Sequence, residues 1–176
     1  MKRKFISQRN QTHVIKMAVA VFSSDTVVGD AVASDVKNGI QIVASFTKLP
    51  PGKHGFHIHV AGDLRGEGCL GACSHWHVGP SANHGPYSTR MGERHTGDLG
   101  NIELSGQPYR YFLKGVRARD LWGRSLIVHA DEDDLGLGGH NDSKTTGHSG
   151  ARIACAIIGR PAGCQDKRKT RKTYRQ

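Results

Sequence analysis

The stretch GFHIHV, residues 55–60, sets two histidines one residue apart inside a short apolar run. In a β-strand successive side chains alternate between the two faces of the sheet. His57 and His59 therefore project to one side, and Phe56 and Ile58 to the other. One face supplies apolar bulk for a core and the opposite face a pair of nitrogen donors. The polar side of an edge strand looks the same, so the remaining residues must decide between decoration and ligation.

Outward from this stretch the chain reads as strands. MAVAVF (17–22), IQIVASF (40–46), YRYFLKGV (109–116), SLIVHA (125–130) and RIACAII (152–158) are short and β-branched or aromatic in character. Turn material separates them, including SSD, DVKNG, LPPGKHG and GHNDSKTTGHSG. No helical period persists beyond about two turns. Twenty-three glycines and 6% aromatics favour a turn-rich all-β fold over a helical bundle. At 176 residues the chain suits one domain with a real core, plus tails.

Basic residues concentrate at the ends. Residues 1–16 carry five Lys/Arg and no acid, and residues 160–176 carry seven against Asp166 alone. Of the net +10, the body between them contributes −1, with 13 basic and 14 acidic residues. The division expected is a basic N-terminal extension (1–14), a globular domain (15–159) and a basic, disordered C-terminal tail (160–176). The tail, with DKRKTRKTYR, suits contact with a polyanion such as nucleic acid, anionic lipid or a glycan. No run of about 18 apolar residues exists to span a membrane. The start, MKRKFISQRN, lacks the apolar segment of a secretory signal, which predicts a cytoplasmic protein.

The longest stretch without strand character is 61–98. A long irregular segment in a compact domain tends to be functional. It is poor in aliphatic residues, and a metal ion or a disulfide is the usual means of ordering such a loop. Seven of the chain's eleven histidines fall between positions 54 and 95. His75, His84, His95 and Asp98 supply three imidazoles and a carboxylate, a set that suits tetrahedral zinc. His57, His59 and His129 offer an all-imidazole set that suits copper.

With these residues in view, the chain resembles the copper/zinc superoxide dismutase family over roughly residues 15–159. The matching stretches are HGFHIH (54–59), GERHTGDLGN (92–101), GRSLIVHADEDDLGLGG (123–139) and TGHSGARIACAIIG (146–159), in the family's order. The resemblance implies an eight-stranded Greek-key β-barrel, an immunoglobulin-like sandwich with long metal-binding and electrostatic loops. It implies copper ligands His57, His59, His75 and His129, and zinc ligands His75, His84, His95 and Asp98, one ion of each per subunit, with His75 bridging both. In HWHV, His77 competes with His75 for that place; Trp76, standing where the family has an aromatic, favours His75. His84 rests on the local match NHGP.

By the same resemblance Asp133 is the carboxylate that joins a copper histidine to a zinc histidine, and Arg152 attracts and orients the anion beside copper. Cys155 pairs with a cysteine of the preceding loop; GDLRGEGC points to Cys69, with Cys73 the alternative and Cys164 left over. The activity implied is conversion of superoxide to dioxygen and hydrogen peroxide by copper redox cycling, with His75 and Arg152 as catalytic residues. A catalytically inactive or copper-handling homologue is the alternative reading. Further expectations are a homodimer, with Arg160 standing where an apolar interface residue would be comfortable, and a copper chaperone as partner. Lys144 adds to the attracting field and Asp131 and Asp142 moderate it. His140 and His148, in the same loop, receive no role.

Overall fold

The computed structural model describes residues 16–65, 67–80 and 83–162. The basic N-terminal extension and, beyond Ala162, the basic tail with its expected polyanion contact lie outside the described residues. So does Cys164.

Eight strands form the frame: β1 (Met17–Ser23), β2 (Val28–Val36), β3 (Gly39–Lys48), β4 (His54–His59), β5 (Asp98–Ile102), β6 (Tyr109–Lys114), β7 (Ser125–His129) and β8 (Arg152–Ile157). They make two four-stranded antiparallel sheets, in the orders β1-β2-β3-β6 and β5-β4-β7-β8. The chain changes sheet between β3 and β4, β5 and β6, and β6 and β7. Val19 and Gly159 exchange backbone hydrogen bonds of 3.0 and 2.8 Å, stitching the edge of the first sheet to the end of the second. This all-β architecture is consistent with the expected Greek-key barrel.

Alternation along each strand builds the core between the sheets. Phe56 and Ile58 are fully buried there, as the reading of GFHIHV requires. Phe56 packs edge-on against Phe46 at 5.6 Å and lies 6.3 Å from Phe22 and 6.2 Å from Tyr111. Each such side chain contributes about 1.5–3 kcal/mol by leaving water. The core side of β4 is therefore a rigid base for the two histidines on its other face.

Strands β2 and β5 are absent from the sequence reading. In VGDAVASDV the inward, buried positions are Ala31 and Ala33, too small to announce a strand, and pairing with β1 and β3 on either side supplies the order. DLGNI sits at the end of the segment read as irregular and is held by pairing with β4. Among its described residues that segment otherwise runs without a strand from Val60 to Gly97 and includes a short 3-10 turn, Leu70–Ala72. It is also pinned to the exposed edge of β6, where the Tyr87 hydroxyl donates to the Phe112 carbonyl (3.1 Å) and accepts from the Phe112 N–H (2.6 Å). Capping the edge in this way blunts a template for unwanted pairing.

Candidate metal centre

His57 and His59 lie on the outer face of β4, yet the loop covers them almost completely, at 0% and 1% exposure. The loop runs back alongside β4: Trp76 N–H donates to the Ile58 carbonyl (2.8 Å), Gly97 N–H to the Trp76 carbonyl (2.8 Å) and Ile58 N–H to the Gly97 carbonyl (2.9 Å). This lacing sets His75 opposite His59 and brings Asp98 into register with His57. On the other flank of β4, strand β7 ends in His129, which pairs with Arg152 at the start of β8.

Beside a smaller group of His57, His84 and Asp133, two groups of four ligand atoms result, each with all its atoms within 4.8 Å of one another: His57, His59, His75 and His129, and His75, His84, His95 and Asp98. His75 belongs to both. Its ring centroid stands 4.1 Å from that of His57 and 5.2 Å from that of His84. His77 belongs to neither; its Nε2 turns to the Pro80 carbonyl. Every ligand expected from the sequence is thus brought into one of the two clusters.

The tautomers are set from outside the clusters. His57 Nε2 donates to Asp133 Oδ2 (2.8 Å), His59 Nδ1 to the Cys73 carbonyl (2.9 Å) and His129 Nδ1 to the Gly150 carbonyl (3.3 Å). Each bond leaves the other ring nitrogen as a lone pair aimed inward. His57 Nδ1, His59 Nε2, His75 Nε2 and His129 Nε2 are buried with no hydrogen-bond partner, as are His84 Nδ1 and His95 Nδ1. Burying an unpaired polar atom costs roughly 1–3 kcal/mol, so six together make sense as a vessel for cations. The all-nitrogen group fits copper, and the three-imidazole, one-carboxylate group fits zinc.

In the all-imidazole cluster the electrostatics agree with this. Burial, reinforced by the neighbouring His75 imidazole, pushes His57 well below its ordinary value, His59 to about 2 and His129 to about 4. These rings stay neutral, as ligands must. Burial alone would also lower His84, but Asp133 and Asp98 outweigh it and raise it to about 9. For Asp98 burial works upward, and the imidazoles of His75, His84 and His95 overcome it to hold the carboxylate ionised.

Asp133 reaches both clusters, its Oδ1 accepting from His84 Nε2 at 2.8 Å. Gly147 makes that possible: with φ of +70°, its Cα passes so close to Asp133 and His84 that any side chain would collide with them. Arg152 is clamped to the preceding loop, donating to the Cys69 and Cys73 carbonyls, both at 2.6 Å. Cys69 is joined to Cys155 in a disulfide, which settles the open choice, and Cys73 is an exposed free thiol.

Four supporting roles escaped the sequence reading. Arg94, 1% exposed, donates to the carbonyls of Thr89 (3.1 Å), His95 (2.7 Å) and Asp98 (2.8 Å), bracing the loop beneath two ligands. Asn101 receives the Asp133 N–H (2.7 Å) and donates to its carbonyl (2.8 Å). His54 Nδ1 bonds the His129 carbonyl at 2.9 Å. The Cys73 carbonyl serves His59 and Arg152 together. Arg94, Asn101 and His54 lie inside the quoted motifs, but only the fold shows what each one holds.

The family model for copper/zinc superoxide dismutase matches residues 27–158. Superoxide dismutase [Cu-Zn] of Paramecium bursaria Chlorella virus 1 is 44% identical over 127 residues, 68% of this chain and 66% of that protein. Superoxide dismutase [Cu-Zn] 2 of Mesembryanthemum crystallinum is 38% identical over 155 residues, 83% and 96% respectively. The copper chaperone for superoxide dismutase of Rattus norvegicus is 47% identical over 118 residues, 65% of this chain but only 42% of the chaperone. The chain thus spans just under two thirds of the viral relative's length and nearly all of the plant relative's. The solved structure of the clock protein EA4 superposes with a TM-score of 0.74 at 32% identity, over 92% of this chain and 100% of that one. With a match that runs through both histidine clusters and their supporting loop, the chain belongs to the copper/zinc superoxide dismutase family.

Proposed function

We propose that the protein is a superoxide dismutase, carrying copper on His57, His59, His75 and His129 and zinc on His75, His84, His95 and Asp98. The observation that carries this reading is the convergence of four buried, unpartnered imidazole nitrogens beside Arg152. Bound in the first cluster, copper would supply the one-electron chemistry by which two superoxide anions and two protons become dioxygen and hydrogen peroxide.

The chain's own residues do the rest. Arg152 draws the small anion in and orients it, because a guanidinium beside a metal focuses the field of a cleft. His75 Nε2, the buried nitrogen aimed into the first cluster, would take up a proton when it is not ligating and pass it to the forming peroxide. Asp98, 2.8 Å from His75 Nδ1, keeps the ring in place while that proton moves. Asp133 keeps the two clusters in register. The Cys69–Cys155 disulfide fixes the carbonyls that aim Arg152.

The setting follows from the same reading. The protein works in the cytoplasm, and no helix among the described residues is long and apolar enough to cross a membrane. A second copy docks on the seam marked by the Val19–Gly159 bridge, with Val21 and Ile157, 65% and 48% exposed, as its apolar residues. There Arg160 folds its guanidinium over the Trp122 ring at 4.1 Å, so an arginine is accommodated beside an apolar face. A copper chaperone delivers the metal.

The test is superoxide decay with protein loaded with copper and zinc, against protein loaded with zinc alone. Catalysis confined to the copper form supports dismutation. Tight copper binding without catalysis would instead favour the copper-handling reading, to which the similarity with a chaperone points.

A further inference from the structure

Strand β6 and the loop stretch 87–94 border a cleft of about 660 Å³, within the roughly 300–1,000 Å³ typical of small-ligand sites. Three cationic residues line it, Arg90, Arg94 and Lys114, together with Ser88, Thr89 and Phe112. No carboxylate lines it among the described residues. Arg90 and Lys114 are exposed, and neither is ion-paired among those residues. None of the residues lining the cleft belongs to a metal-ligand group.

Arg94 is the fixed member of the set. It is 1% exposed, its guanidinium carbon stands 5.0 Å from the centre of the Tyr87 ring, and its Nε and Nη1 are spent on the Thr89, His95 and Asp98 carbonyls. Nη2 has no hydrogen bond among the described residues, which leaves one nitrogen of a buried guanidinium for a ligand. Phe112 is 45% exposed, and its backbone is bonded on both sides to the Tyr87 hydroxyl. Tyr87 thus ties the arginine and the aromatic residue to one another, and a site already held in shape loses less freedom on binding.

We infer that this cleft binds a small phosphate ester carrying a planar ring, of the nucleoside monophosphate class, with the phosphate on Arg90, Arg94 and Lys114 and the ring against Phe112. Guanidinium and ammonium groups without carboxylate partners suit a phosphate, which guanidinium groups grip through charge-assisted hydrogen bonds. An exposed aromatic ring beside them suits a base, because every base offers a face for stacking. The reading is independent of the dismutase assignment.

Isothermal titration of the metal-loaded protein with AMP, inorganic phosphate and adenosine, at low salt to limit screening, tests this. AMP should bind saturably at a single site, roughly tenfold tighter than inorganic phosphate because stacking adds to charge. Adenosine, lacking the charge, should bind more weakly than AMP by roughly tenfold or more. Arg90→Gln/Lys114→Gln should weaken AMP binding by a similar factor, and Phe112→Ala should bring AMP down to the level of inorganic phosphate. Arg152→Gln, which removes the other group that attracts anions, should bind AMP like the wild type. Metal content and unfolding temperature, measured on each sample, identify any variant that fails to fold. Unchanged AMP affinity in the double variant, loss of AMP binding in Arg152→Gln, or wild-type affinity for AMP no greater than for inorganic phosphate overturns the proposal.

Discussion

Asp133 holds His57 and His84 together: its Oδ2 accepts from His57 Nε2 and its Oδ1 from His84 Nε2, both at 2.8 Å. One buried carboxylate thus orients a ring in each cluster, and the two clusters are coupled through it as well as through His75. Asp133→Asn removes the charge and one of the two acceptors. Zinc affinity should fall roughly 10–100-fold, measured by competition with a chromophoric chelator. Wild-type affinity in the variant would mean that His75 alone couples the clusters.

Cys73 adopts φ 63° and ψ −149°, a region that is essentially glycine's. The strain costs roughly 1–3 kcal/mol, while glycine at the same place raises the entropy of the unfolded chain by roughly 0.5–1 kcal/mol. Cys73→Gly should therefore stabilise the protein by about 1 kcal/mol in urea unfolding, with His59 and Arg152 still bonded to the carbonyl of residue 73. Destabilisation would show that the thiol itself supports the fold.

The Cys69–Cys155 disulfide closes a loop of 86 residues. In the chain-entropy model that is worth about 4–5 kcal/mol. Cys155→Ser should lower stability by about that amount and, by freeing the Cys69 carbonyl from its tether, loosen Arg152. Calorimetry on the metal-free variant measures the first. A loss under about 1 kcal/mol would mean that packing, not the cross-link, orders the loop.

Metal-free protein should lose stability in mild acid. His129 folds with a value of about 4 and His59 with about 2, both lowered chiefly by burial, against an unfolded value of about 6.5. As pH falls below about 6.5 the unfolded chain takes up protons that the folded one refuses, at about 1.4 kcal/mol per pH unit for each such ring. His84, raised to about 9, contributes stability that is complete below about 6.5 and lost only toward pH 9, so it leaves this window unchanged. Metal-free His129→Gln should show a slope shallower by roughly 1 kcal/mol per pH unit between pH 4 and 6; an identical slope would contradict the burial of that ring.

The sequence exposed this site well because its chemistry is written in residue types that strands and loops otherwise use sparingly. Alternation put His57 and His59 on one face, and the other histidines and the matching motifs turned that pair into ligands; His95 and Asp98 were readable from a loop with nothing else to hold it. His84 and His77 were harder, since loop histidines carry no period, and only the folded loop shows one ring turned inward and the other toward Pro80. Strand β2 was hidden because its buried positions are alanines, whose order comes from its neighbours. Backbone acceptors such as the Cys73 carbonyl leave no mark in a sequence at all.

The most direct test of the central claim is superoxide consumption by copper- and zinc-loaded wild type beside His129→Ala prepared in the same way. His129 contacts only the all-imidazole cluster, so removing its ring spares the zinc set and the disulfide. Rapid consumption by the wild type, with a fall toward the uncatalysed rate and retained zinc in the variant, is the predicted result. Equal rates for the two proteins would contradict the assignment of that cluster as the catalytic copper site.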